Sequence, residues 1–221
     1  MNEIKKALAE KTEYTFDDLL KIMELLRAPG GCPWDREQTH KSIRKNFIEE
    51  AYEVAEAIDE ESQEHLCEEL GDVMLQVVFH TEMEKEKGSF TIDDVIGGIC
   101  KKLVRRHPHI FGETSADTPD KVLANWDEIK AKEKKQSGLA DELDGISKTL
   151  PSLVRAQKMI KKASKHSVNL SESTVEFKGF TRKEYADKLA LLAASANENG
   201  IDLEEVLEEK CNLWLKTIKN S

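Results

Sequence analysis

The residues best suited to chemistry in this chain are acidic and regularly spaced. Within Phe47-Ile48-Glu49-Glu50-Ala51-Tyr52-Glu53-Val54-Ala55-Glu56, Glu50 and Glu53 stand three positions apart, and Glu69 and Asp72 repeat that interval. Residues three apart on a helix share a face, so each pair could grip one ion or two adjacent ones. Glu49 lies beside the first pair and Glu56 one turn further on. Leu66, Leu70, Val73, Met74, Val77 and Val78 bracket the second pair, which puts Glu69 and Asp72 near an apolar stripe. Like charges gathered there repel one another and lose solvent at considerable cost. Mg²⁺ or Mn²⁺ resolves the conflict, because hard cations take oxygen ligands. Ferritin-like iron sites want a Glu-x-x-His on paired helices, and His40, His65 and His80 do not follow a Glu of this cluster at that spacing. The plain alternative is a solvated acidic face, and that reading is adopted for Glu60, Glu61, Glu64, Glu84 and Glu86.

One concentrated basic patch accompanies these acids: Lys101-Lys102-Leu103-Val104-Arg105-Arg106-His107-Pro108. Lys102 and Arg106 share a helical face, as do Lys101 and Arg105. Such a patch can complement the negative end of a helix dipole. It can equally hold phosphate oxygens, with Arg106 as a bidentate fork.

Positioning these groups requires helices, and helical spacing dominates the chain. Phe16, Leu19, Leu20, Ile22, Met23 and Leu26 recur at three- and four-residue intervals behind an acidic start at Asp17 and Asp18. Pro29-Gly30-Gly31-Cys32-Pro33 stops that helix. Further helices are predicted over 42–59, over 62–87 ending at Gly88, and over 92–106, capped by Thr91 and closed by His107-Pro108. The turn after Asp59 is short, so the helices it joins should be antiparallel neighbours with Glu53 and Glu69 at comparable heights. A charged helix is expected over 122–135, a linker over 137–149, and helices over 150–165, 182–199 and 203–219. No stretch alternates as a strand does, so the fold class is all α. A faint repeat relates Gly88, Ile92-Asp93-Asp94-Val95-Ile96 and Cys100 to Gly200, Asp202-Leu203-Glu204-Glu205-Val206-Leu207 and Cys211.

Composition narrows the function. With 39% hydrophobic and 34% charged residues among 221, the chain reads as a charged globular protein with a real core. A net charge of −10 argues against a general nucleic-acid binder, which needs a basic face to displace counterions. It leaves room for a polyphosphate bridged by a divalent cation. Cys32, Cys67, Cys100 and Cys211 form no C-x-x-C pair and are expected as reduced thiols in a core. The start of the chain is polar and no long apolar run follows, so a cytoplasmic protein without a membrane partner is expected.

Taken together, Glu49-Glu50-x-x-Glu53 followed by Glu69-x-x-Asp72 resembles the signature of the MazG nucleoside triphosphate pyrophosphohydrolases. Gly31-Cys32-Pro33-Trp34-Asp35, Gln38-Thr39-His40, Leu70-Gly71-Asp72, 102–112 from Lys102 to Gly112, and Trp126-Asp127-Glu128-Ile129-Lys130 are similar to that family as well. The resemblance implies a helical bundle that forms a homodimer and splits a nucleoside triphosphate between its α- and β-phosphates. It implies Glu50, Glu53, Glu69 and Asp72 as Mg²⁺ ligands. It also implies a nucleotide site lined by Asn46, Glu49, His65, Glu68, Lys102, Arg106, Trp126 and Lys130. Glu49 is the expected base, with Lys102 and Arg106 assisting at the phosphates. Longer members carry two such domains. Residues 1–136 are read as the catalytic domain, 137–149 as a linker and 150–221 as a shortened second copy. There Glu184-x-x-Asp187 survives, but only Glu172 and Glu176 stand where an upstream pair belongs. Two alternatives stay open: a pyrophosphohydrolase of a modified nucleotide or an alarmone such as ppGpp, and a non-catalytic regulator binding a nucleotide or a protein.

Overall fold

The computed structural model describes residues 2–133, 138–170 and 179–220, and every regular element among them is a helix. Two compact units divide the chain, 1–105 and 106–221. In the first, α1 (Asn2–Ala9), α2 (Phe16–Arg27), α3 (Pro33–Glu37), α4 (Arg44–Asp59) and α5 (Gln63–Glu86) precede α6 (Ile92–Arg106). The second holds α7 (Pro108–Phe111), α8 (Pro119–Glu133), α9 (Leu139–Asp144), α10 (Ser152–Lys165), α11 (Arg182–Glu198) and α12 (Leu203–Lys219).

Local chemistry explains most boundaries. Thr15 caps α2 in a reciprocal box with Asp18. Ser62 caps α5 through the His65 amide. The predicted start at 42 falls two residues early, because the Thr39 amide donates to the Ser42 hydroxyl (2.9 Å). That contact closes a local turn, and α4 begins at Arg44 behind the buried Ile43. Glu61, at φ 54°, reverses the chain between α4 and α5. Gly88 and Gly200 both adopt positive φ ahead of α6 and α12, a backbone feature shared by the two faintly repeated segments.

α5 is the central element of the first unit, packed by α4 on one side and α2 on another. Its Val78, Phe79 and Met83 form the core with Met23 and Ile43, flanked by Leu19, Leu20 and Leu75. In the second unit, α9, α10 and α12 enclose Leu143, Ile146, Ala156, Met159, Ala163, Leu170, Cys211 and Leu215. The segment expected as a linker thus contains a helix, α9, whose Leu143 is buried in that core. Its Gly, Asp and Ser content masked an apolar face too short to show a period.

Of the cysteines only Cys211 is buried; Cys67 and Cys100 are exposed and Cys32 is half-buried, all as free thiols. The expected core thiols therefore reduce to one, since Cys67 and Cys100 lie on outward faces of α5 and α6. The predicted helix end at 135, the start of the linker at 137, and Glu172 and Glu176 lie outside the described residues.

Candidate active site

α4 carries Glu50 and Glu53, and α5 carries Glu69 and Asp72, to the seam between the two helices. One oxygen from each of Glu50, Glu69 and Asp72 lies within 4.8 Å of the other two. Glu53 stands beside Glu50, and its charge reaches Glu69. Burial, followed by Glu53 and Asp72, pushes the Glu50 carboxyl above the usual carboxylate range. Burial and then Glu53 raise Glu69, against the opposing pull of His65. Glu69 is only 8% exposed, and its Oε2 is buried with no hydrogen-bond partner. A buried carboxylate oxygen left unpaired is costly. Converging hard-oxygen donors that repel one another, with one of them orphaned, fit a divalent cation.

The surrounding residues take varied roles. His65 bridges two acids, with Nε2 3.1 Å from Glu69 and Nδ1 3.0 Å from Glu60. The Glu60 hydrogen bond chiefly raises its pKa. Glu68 is exposed on the next position of α5, and Asn46 is exposed one turn before Glu50. Glu49 faces outward from α4, in a groove lined also by Lys45, Ile48, Tyr52, Glu53 and Glu56. Lys102 is exposed on α6.

Arg106 departs from the open phosphate-holding arm that its spacing from Lys102 suggested. It is 8% exposed, and its guanidinium is bonded through Nε and Nη2 to Glu133 of α8. That contact raises the Arg106 pKa further. Arg106 Cζ and Lys130 Nζ lie over the Trp126 ring, 4.9 Å and 4.8 Å from its centroid. The side chain of Asp127 is outside the described residues.

Three of the acids read as solvated are engaged. Glu60 holds His65, and Glu86 forms a two-pronged pair with Arg27 (2.6 and 2.8 Å). Glu84 accepts from Lys87 at 2.6 Å and lies 2.5 Å from His40 Nε2. Spacing along one helix cannot register the contacts of Glu86 with Arg27 and of Glu84 with His40, because those partners come from α2 and from the loop before α4.

Gln76 was not singled out from sequence. It is buried, its Nε2 donates to Glu50 at 3.4 Å, and its Oε1 has no partner. Its position four residues after Asp72, on the same helical face, is the available signal. In the second unit, Glu184 is spent as a cap: its carboxylate accepts the Thr181 amide at 2.7 Å and closes the N-terminus of α11.

The MazG nucleotide pyrophosphohydrolase domain matches residues 38–111. Over 151 residues, 67% of this chain and 56% of the relative, 48% of positions are identical to the Thermotoga maritima nucleoside triphosphate pyrophosphohydrolase/pyrophosphatase MazG. An uncharacterised Bacillus subtilis protein, YabN, is 51% identical over 148 residues, 67% of this chain and 30% of its own length. An uncharacterised 26.1 kDa protein of Streptomyces cacaoi is 34% identical over 205 residues, 91% of this chain and 80% of its own length. The chain spans 30% and 56% of the first two relatives.

Proposed function

Since the chain belongs to the MazG family, we propose that it hydrolyses nucleoside triphosphates to the monophosphate and pyrophosphate with Mg²⁺ as its cation. The observation that carries this reading is the convergence of Glu50, Glu69 and Asp72 around an orphaned, buried Glu69 oxygen. These three and Glu53 would hold the cation. Bound there, Mg²⁺ supplies the positive charge that a triphosphate needs as pyrophosphate leaves.

The chain's own residues supply the rest. Glu49, outside the ligand set but next to it on α4, accepts the proton of the attacking water. Lys102 and Arg106 draw on the phosphate oxygens. Asn46, His65 and Glu68, on the same two helices as the acids, are read as substrate contacts. His65 has a further part, since it keeps one oxygen of Glu69 occupied and thereby leaves the other for the cation. The printed name of the Thermotoga relative supports the reaction class.

We assign 1–136 to catalysis and 150–221 to a shortened second copy without its own cage, a division supported by the use of Glu184 as a helix cap. A homodimer is supported by the exposed Ile96, Ile99, Leu103 and Val104 of α6, an apolar strip that water would otherwise cover. No helix among the described residues is long and apolar enough to cross a membrane. Together with the acidic charge, this supports action on free nucleotides in the cytoplasm.

Pyrophosphate release from a panel of NTPs and dNTPs, with Mg²⁺ and with EDTA, is the test. Release with Mg²⁺ that EDTA abolishes is expected, and its absence for every nucleotide would leave a binding regulator as the better account. Asp72→Ala should lower Mg²⁺-dependent turnover by roughly a hundredfold or more while helical circular dichroism is retained. Full turnover in that variant removes the cage.

A further inference from the structure

The outward face of α4 carries a groove of about 470 Å³ lined by Lys45, Ile48, Glu49, Tyr52, Glu53 and Glu56. Intervals of three and four place these residues on one stripe of the helix. That stripe runs beside the one that meets α5. Glu53 belongs to both, since it lines the groove and stands beside Glu50 in the acid cluster. The volume falls within the range, about 300–1,000 Å³, of sites that take a small organic ligand.

Two properties of the lining select that ligand. Three carboxylates stand there against one ammonium, so a bare polyphosphate is repelled and stays with the cation at the seam. An uncharged group is not repelled, and the carboxylates accept hydrogen bonds from its O–H and N–H donors. The second property is apolar. Tyr52 is 63% exposed and Ile48 45%, one turn apart among the charged residues of the stripe. Single exposed apolar side chains are ordinary, but this pair forms part of a concave surface that shares a wall with the cation site. A planar heterocycle stacks on a tyrosine ring, a contact that stabilises a complex by about 1–3 kcal/mol per base. A nucleoside brings both the flat ring and the donor-bearing sugar.

Resting on the pyrophosphohydrolase reading given above, we propose that this groove receives the nucleoside end of the substrate, with its base stacked on Tyr52. The triphosphate stays on the cation beyond Glu53, and Ile48 flanks the base. Stacking depends on ring area more than on hydrogen-bond pattern. Tyr52 therefore confers a preference for purines over pyrimidines, and little between adenine and guanine.

The experiment measures KM and kcat of the full chain for ATP, GTP, CTP and UTP in Mg²⁺, with calorimetric affinity for inorganic tripolyphosphate alongside. Tyr52→Ala is expected to raise KM for the two purine nucleotides about tenfold, or about 1.4 kcal/mol, within the stacking range. The rise should be smaller for the pyrimidines. kcat should hold, since a contact made equally in ground and transition states alters KM alone. Tyr52→Phe, which keeps the ring, should keep the parent KM, and tripolyphosphate affinity should be the same in all three chains. An unchanged purine KM in Tyr52→Ala overturns the groove assignment and leaves the reaction standing. Equal weakening of NTP and tripolyphosphate also overturns it, because Tyr52 then serves the phosphates or the fold. So does a fall in molecular mass by light scattering in Tyr52→Ala, which would make the groove a contact with a second copy. If the parent chain turns over no NTP, the reaction class itself fails, an outcome that no effect at Tyr52 can imitate.

Discussion

Glu84 lies in a run of polar contacts that fastens the loop before α4 onto α5. His40 Nε2 reaches Glu84, Lys87 reaches the same oxygen, and His40 Nδ1 lies 2.7 Å from His80 Nδ1. Two ring nitrogens can share that short distance only if one carries a proton and the other does not. Burial first, and then the neighbouring His40, holds the His80 pKa below its ordinary 6.5. Lys87 first, and then His40, holds Glu84 down at about 2. In both cases the unfolded chain binds protons that the folded chain refuses. The stability contributed by these two groups should be complete above pH 6.5 and fall on acidification, first as His80 resists its proton and again below 4.5 as Glu84 nears about 2. Thermal unfolding across pH 7 to 2 checks this: His80→Gln should remove the upper step and Glu84→Gln the lower. A His80→Gln profile identical to that of the parent chain would mean the histidine pair carries no such linkage. The same scale shows why Gln76 matters, since it gives Glu50 one neutral donor inside a ring of acids.

At the scale of elements, the site is a property of the α4–α5 pair, and the segment between α2 and α4 keeps that pair in register. Arg27, at the end of α2, bonds Glu86 of α5 and the carbonyls of Asp35 and Gln38, while its guanidinium lies 5.4 Å from the centre of the Phe79 ring. Gly31 lets the chain fold back against the last turn of α2. A Cβ at Gly31 would collide with the carbonyl oxygens of Leu25 and Leu26, which are backbone atoms that cannot rotate away. The neighbouring Cys32 amide donates to that Leu26 carbonyl at 2.8 Å. Gly31→Ala is therefore expected to cost about 1–3 kcal/mol of stability, read from the denaturant midpoint, and to lower activity through the loop that carries His40. A variant as stable as the parent chain would show that the backbone shifts freely here.

At the scale of the whole molecule, the proposed homodimer is tested at the exposed apolar strip on α6. Ile99 and Leu103 are each nearly half exposed, one turn apart on that helix. Leu103→Glu should shift the proposed homodimer towards monomer, by about 2 kcal/mol per protomer for one lost leucine, as light scattering across a concentration series would register. A chain that is monomeric before substitution would refute the dimer and leave the strip for another occupant. Which helices exist, and that two of them bear acid pairs at a three-residue interval, follows from the sequence alone: propensity, capping and periodicity act over a few residues. Thr15, Ser62 and Thr91 mark starts, and Gly88 marks an end, without reference to anything distant. Partnership was decided only by tertiary structure. That Arg106 faces Glu133, that Glu84 meets His40, that Gln76 reaches Glu50 and that α9 enters a core all depend on residues 20 to 70 positions apart. No local pattern encodes those distances, because packing of apolar faces brings such residues together and the polar atoms then pair with whatever stands opposite.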